Sequence, residues 1–146
     1  MPAIQHFLTL DVGNTSVRIG VFSGKTLSRV ITLDPRQLTK SQLPSILKRQ
    51  AFSACIISCV APVPAALLRL LRKNMKVFRL SSGMRLPLKN AYRTPSTLGN
   101  DRLACIAGAH RLFPALPVLV IDAGTCIKYD IVNAGTYLGG SITPGL

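Results

Sequence analysis

The chain has 146 residues, 48% of them hydrophobic, and its 18 Lys and Arg against 5 Asp and no Glu give a net charge of +13. That is enough length for one ordinary domain and enough apolar content for a core, so a disordered chain is not expected. The basic excess admits an anionic partner, either nucleic acid along residues 69–93 or a small anionic ligand, but aromatic residues at 5% are too few for a base-stacking platform.

In chain order, residues 4–11 alternate weakly and read as a first strand. Residues 16–22 form a second, with Val17, Ile19 and Val21 alternating against Arg18 and Gly20. After the turn Ser23-Gly24-Lys25, residues 26–33 make a third, so an antiparallel meander is predicted. The period then changes. Residues 38–50 read as an amphipathic helix with Leu43, Ile46 and Leu47 inward. Residues 54–60 are a buried strand, 64–73 a helix with Leu67, Leu68 and Leu71 on one side, and 76–80 a short strand. This succession predicts parallel strands joined by crossover helices. Residues 51–68 carry no charge, but Pro62 and Pro64 interrupt them and Ser53 and Ser58 are polar, so a buried strand and a proline-initiated helix describe them better than a membrane span.

Residues 81–98 read as a long irregular loop, which in a compact domain is usually functional. Residues 100–112 form a helix closed by Pro114 and Pro117. Residues 118–122, a Gly-Thr turn, and residues 126–132 then repeat the opening hairpin, with 136–142 as the third strand of a second meander. The four cysteines, Cys55, Cys59, Cys105 and Cys126, form no C-x-x-C pair and are read as reduced thiols of a cytoplasmic protein. The opening residues lack the basic and apolar segments of a signal peptide.

The two hairpins share L-x-x-D-x-G followed by Thr: Asp11 matches Asp122 and Gly13 matches Gly124. Two matched hairpins, each opening a meander, predict a duplicated fold. A turn of Asp, Gly and Thr suits a phosphate, because backbone N–H groups and hydroxyls donate to it. The carboxylate cannot hold a phosphate directly and needs a cation between them, usually Mg²⁺. Two such loops facing each other would clamp a polyphosphate. The stretch GVFSGKT resembles a Walker A loop, but it has one residue too few between its glycines and leads into a strand, so it is rejected.

Three blocks, DVGNTSVRIGVF, YRTPSTLGNDR and IDAGTCIKYDIVNAGTYLGGSITPGL, carry a resemblance to the type III pantothenate kinases of the acetate kinase, sugar kinase, Hsp70 and actin superfamily. The resemblance implies an α/β chain of the actin-like, ribonuclease H-like duplicated fold, truncated early in its second lobe, with residues 1–116 as the first lobe and 117–146 as the start of the second. It implies ATP-dependent phosphorylation of pantothenate, the first step towards coenzyme A. Asp11, Val12, Gly13, Asn14, Thr15, Ser16, Val17 and Arg18 would form the ATP phosphate loop, with Thr125 a further ATP contact. Asp101 would be the general base, and Tyr92, Gly99, Asn100, Asp101 and Arg102 would line the pantothenate site, Arg102 pairing with the substrate carboxylate. Asp122 would hold a monovalent cation, K⁺ or NH₄⁺, beside ATP with Mg²⁺. Full-length relatives would be homodimers, and neither a membrane nor nucleic acid is an expected partner. The chain itself is expected to lack activity if it is a fragment. Cys126 stands where the family usually has Ala, Lys128 where Thr is common, and Arg18 where Lys is common. The competing expectations are another small-molecule kinase of the superfamily and a basic regulatory or nucleic-acid-binding protein.

Overall fold

The opening hairpin organises the first half of the chain in the computed structural model, which describes residues 4–37 and 43–145. β1 (His6–Val12) runs antiparallel to β2 (Val17–Ser23), which runs antiparallel to β3 (Thr26–Leu33). Parallel to β1 lies β4 (Ala54–Cys59), and parallel to β4 lies β5 (Lys76–Arg79). The order β3-β2-β1-β4-β5 is the ribonuclease H-like arrangement, a meander on one side and crossover strands on the other. Both predicted patterns are therefore present.

Alternation explains which face is buried. Leu8, Leu10 and Val12 of β1 join Val17, Ile19 and Val21 of β2 in one core. Leu43 and Ile46 of α1 (Leu43–Arg49) and Leu67 and Leu71 of α2 (Ala65–Asn74) pack into the same cluster. Spacings of three and four residues put each helical pair on one stripe. The predicted start of the first helix, residues 38–42, lies outside the described residues. Cys55 sits in this core, where burial pushes its thiol up to about 12, and no disulfide joins any of the four cysteines. Among the described residues no helix is long and apolar enough to cross a membrane.

Contact density divides the chain after Leu80. In the second unit α3 (Asn100–Leu112) packs on β7 (Val118–Ala123) and β8 (Cys126–Asn133), which continue into β9 (Thr136–Pro144) as an antiparallel meander. The loop predicted over 81–98 is not wholly irregular. Its residues Lys89–Asn90 form β6, which pairs parallel with the outer edge of β9. A strand of two residues has no periodicity to read, so only the edge it joins reveals it. Pro95–Thr97 adds one 3₁₀ turn just before α3.

Candidate active site

In the first unit the turn after β1 is built from the chemistry that singled it out. Gly13 N–H donates to the Ser16 carbonyl at 3.0 Å, closing the bend between the strands. Asp11 stands directly across from Arg18 in the antiparallel register, with Arg18 Nη1 4.0 Å from Asp11 Oδ2 and both side chains substantially exposed. Ser58 of β4 is level with Asp11 on the other side and is buried, its hydroxyl without a hydrogen-bond partner among the described residues.

The matching hairpin in the second unit repeats this pairing in tighter form. Asp122 faces Lys128 across β7 and β8, and Lys128 Nζ donates to Asp122 Oδ2 at 2.7 Å. Gly124 N–H donates to the Cys126 carbonyl at 3.1 Å, so a glycine again closes the turn beside Thr125. The likeness of the two hairpins thus extends to a cross-strand acid–base pair in each.

Lys128 also reaches α3. Its Nζ lies 2.6 Å from Asp101 Oδ2, which places one ammonium between two carboxylates. Burial pulls this ammonium down, but the hydrogen bonds and charges of Asp101 and Asp122 outweigh that effect and hold it above the usual lysine range.

Asp101 is positioned from three sides. Gly99 caps α3 without a side chain, and its carbonyl accepts the Leu103 N–H at 3.1 Å. A Cβ on Gly99 would sit 2.5 Å from Asp101 Oδ1, so the carboxylate folds back over bare backbone. The Arg102 N–H donates to that same oxygen at 2.9 Å, and Lys128 holds the other. An acid in the first turn also suits the helix dipole. Asn100 is the first residue of the helix, as its predicted span has it.

One residue further along α3, the charges are reversed. The Arg102 side chain is buried and faces Asp130 of β8: Nε donates to both carboxylate oxygens at 3.1 Å, and Nη2 to Oδ1 at 2.6 Å. Tyr137 of β9 closes the cluster, accepting from Arg102 Nη2 at 2.9 Å and donating to Asp130 Oδ1 at 2.6 Å. The Asp130 hydrogen bond raises the Arg102 guanidinium further above its ordinary value, and burial raises the Tyr137 phenol, so the tyrosine stays a donor. Gly140 lies opposite Asp130, and a Cβ there would run into the Tyr129 carbonyl and the Asp130 carboxylate.

Tyr92 is brought to this cluster by β6. The Lys89 N–H donates to the Gly135 carbonyl just before β9, the Ala91 N–H to the Tyr137 carbonyl within it, and Asn90 Oδ1 accepts the Tyr92 N–H at 3.0 Å. The Tyr92 ring stacks on Tyr137 at 5.8 Å, with the Arg102 guanidinium carbon 5.6 Å from its centroid. Beside it a groove of about 520 Å³ is lined by Tyr92, Arg93, Thr94, Leu138, Gly139 and Gly140. The structure therefore gathers Tyr92, Gly99, Asn100, Asp101, Arg102 and Asp122 around α3 and the second meander, whereas residues 11–18 form a separate turn in the first unit.

Comparison with known proteins decides what this arrangement belongs to. The profile of the type III pantothenate kinases matches residues 7–146. The chain belongs to the type III pantothenate kinase family.

The type III pantothenate kinase of Bacteroides fragilis is 38% identical over 141 residues, covering 95% of this chain and 57% of the relative. That of Christiangramia forsetii is 37% identical over 140 residues, with 95% and 58% covered. The chain thus spans little more than half the length of the curated pantothenate kinases it matches. Among solved structures, a Campylobacter jejuni protein described as a conserved Baf family transcriptional activator is similar with a TM-score of 0.50, 23% identity, and 95% of this chain and 55% of that one covered. An Aquifex aeolicus Ppx/GppA phosphatase matches with a TM-score of 0.50 at 13% identity, over 97% of this chain and 52% of its own. These two likenesses concern the fold alone.

Asp130 and Tyr137 were not anticipated as part of the site. The available signal was alternation: Lys128, Asp130 and Val132 share one face of β8, and the last two are buried.

Proposed function

We propose that this chain carries the ATP phosphate loop and the phosphoryl-acceptor residues of a pantothenate kinase, and that the whole protein transfers the terminal phosphoryl group of ATP to the primary hydroxyl of pantothenate. The observation that carries this reading is the constrained Asp101 carboxylate at the head of α3, in a chain matched by the family along nearly its whole length. Asp101 accepts the hydroxyl proton while the hydroxyl oxygen bonds to phosphorus and the bond to the departing ADP oxygen breaks. Positioning and charge neutralisation supply most of the rate, so a fixed carboxylate matters more than a reactive one.

Tyr92, Gly99 and Asn100 line the pantothenate side, together with the groove beside Tyr92. Arg102 enters this reading in a changed role. Asp130 already occupies its fork, and a substrate carboxylate would have to displace that buried partner. We therefore assign Arg102 to positioning: it fixes Tyr92 and the start of α3. The turn Asp11–Arg18 takes the ATP phosphates, and Thr125 adds a hydroxyl contact. Asp11, a half-exposed hard-oxygen donor, suits a hydrated Mg²⁺, which when bound with ATP neutralises the phosphate oxygens. A monovalent cation on Asp122 does not suit the residues present, because the Lys128 ammonium occupies that carboxylate. A cytoplasmic homodimer, with lobes divided near residue 116, completes the reading.

The test is label transfer from γ-labelled ATP by the chain, alone and fused to the C-terminal part of the Bacteroides fragilis relative that it does not cover, with pantothenate, a sugar and acetate as acceptors. Pantothenate is expected to be the labelled product, with Asp101→Asn lowering the rate by roughly 10²-fold or more. Labelling of sugar or acetate instead, or an Asp101→Asn protein as fast as the parent, overturns the proposal.

A further inference from the structure

We infer that the Lys128 ammonium is a built-in monovalent cation, holding Asp101 and Asp122 together in place of a bound K⁺ or NH₄⁺. The inference rests on the kinase reading for the purpose of such a cation, and on geometry alone for its position. One nitrogen lies 2.6 Å from Asp101 Oδ2 and 2.7 Å from Asp122 Oδ2, both within the range of charge-assisted hydrogen bonds. An alkylammonium carries the same single charge as K⁺ and is close to it in size. Two carboxylates brought this near each other without a cation would repel and draw in an ion from solution.

The tether explains why the ammonium reaches both acids. Asp122 is the cross-strand partner of Lys128, so the backbone register aims the lysine along the sheet towards it. Asp101 lies at the head of α3, which packs over the same face of β8. The side chains of Lys128 and Asp101 are only 17% and 18% exposed, so water and dissolved ions compete weakly for the pair.

Lys128 therefore acts as a positioning residue. It fixes one oxygen of Asp101 while the Arg102 N–H fixes the other. A dissolved cation performing the same task would bind reversibly and make the site sensitive to ionic composition.

Melting the 146-residue chain in KCl, NH₄Cl and choline chloride at equal ionic strength tests the inference. The parent protein is expected to melt at the same temperature in all three. Lys128→Thr, which opens the space between the two carboxylates, is expected to melt about 3 °C or more higher in KCl or NH₄Cl than in choline chloride. The double variant Lys128→Thr/Asp122→Asn is expected to lose that difference. A K⁺-specific rise in the parent overturns the inference, and so does a folded Lys128→Thr protein indifferent to the cation. Titration of the parent with Tl⁺, followed by thallium NMR, needs no variant: absence of site-specific broadening agrees with the inference, and broadening that KCl reverses overturns it. No readout involves ATP or pantothenate, so failure here is distinct from failure of the kinase reading.

Discussion

Arg102 and Asp130 meet where neither has bulk water as an alternative partner. They are 5% and 2% exposed, and Tyr137, which completes their hydrogen bonds, is fully buried. Such a pair adds little net stability over apolar residues of the same shape, but removing one partner strands the other charge. Asp130→Asn is therefore expected to lower the unfolding free energy by about 3–5 kcal/mol, measured by urea denaturation. An unchanged midpoint would mean that the guanidinium finds water or another acceptor. Replacing both together, as Arg102→Met with Asp130→Leu, is expected to cost less than the single change. The raised Arg102 and Tyr137 have one sign of consequence: stability drawn from their protonated forms is complete below their ordinary ranges and is lost only as pH climbs through the raised ones.

At the scale of elements, α3 and β8 read each other through alternate charge. Adjacent residues Asp101 and Arg102 meet Lys128 and Asp130, which are two apart and so share a strand face. Gly99 sets where the helix begins and leaves room for the Asp101 carboxylate. Its φ of −60° and ψ of 139° suit any L-residue, so Gly99→Ala is expected to change stability by less than about 1 kcal/mol. The added methyl instead forces Asp101 to rotate, and, on the kinase proposal, pantothenate phosphorylation is expected to fall at least about tenfold while the melting temperature moves by no more than a few degrees. Equal activity would show that the orientation of Asp101 is not set at residue 99. α3 itself was legible in the sequence because an acid opens it and Pro114 and Pro117 follow it. Both meanders were legible through alternation and short turns. β6 was not, since two residues have no period and their pairing depends on a strand far along the chain. Nor was the destination of Lys128, because spacing names the face of a strand but not the helix that covers it.

At the scale of the whole molecule, the two units are stabilised differently. The continuous apolar cluster lies entirely in the first, from Leu8 to Leu71. The second buries the Arg102–Asp130–Tyr137 network and leaves Leu119, Ile121 and Ile131 of its sheet exposed. Residues 1–80 alone are therefore expected to unfold in one cooperative transition by circular dichroism, whereas residues 81–146 alone are expected to bind a hydrophobic dye and melt broadly. A sharp, dye-free transition of the second fragment would show that its polar network suffices. The reversed charge pairs between α3 and β8 also constrain how this sequence can drift. A change at Arg102 or Asp130 leaves a buried partner unmatched unless a second change accompanies it, and a change at Lys128 leaves two acids sharing one site unless a dissolved cation takes its place. Five positions scattered over 30 residues of chain, Asp101, Arg102, Asp122, Lys128 and Asp130, are thus coupled to one another.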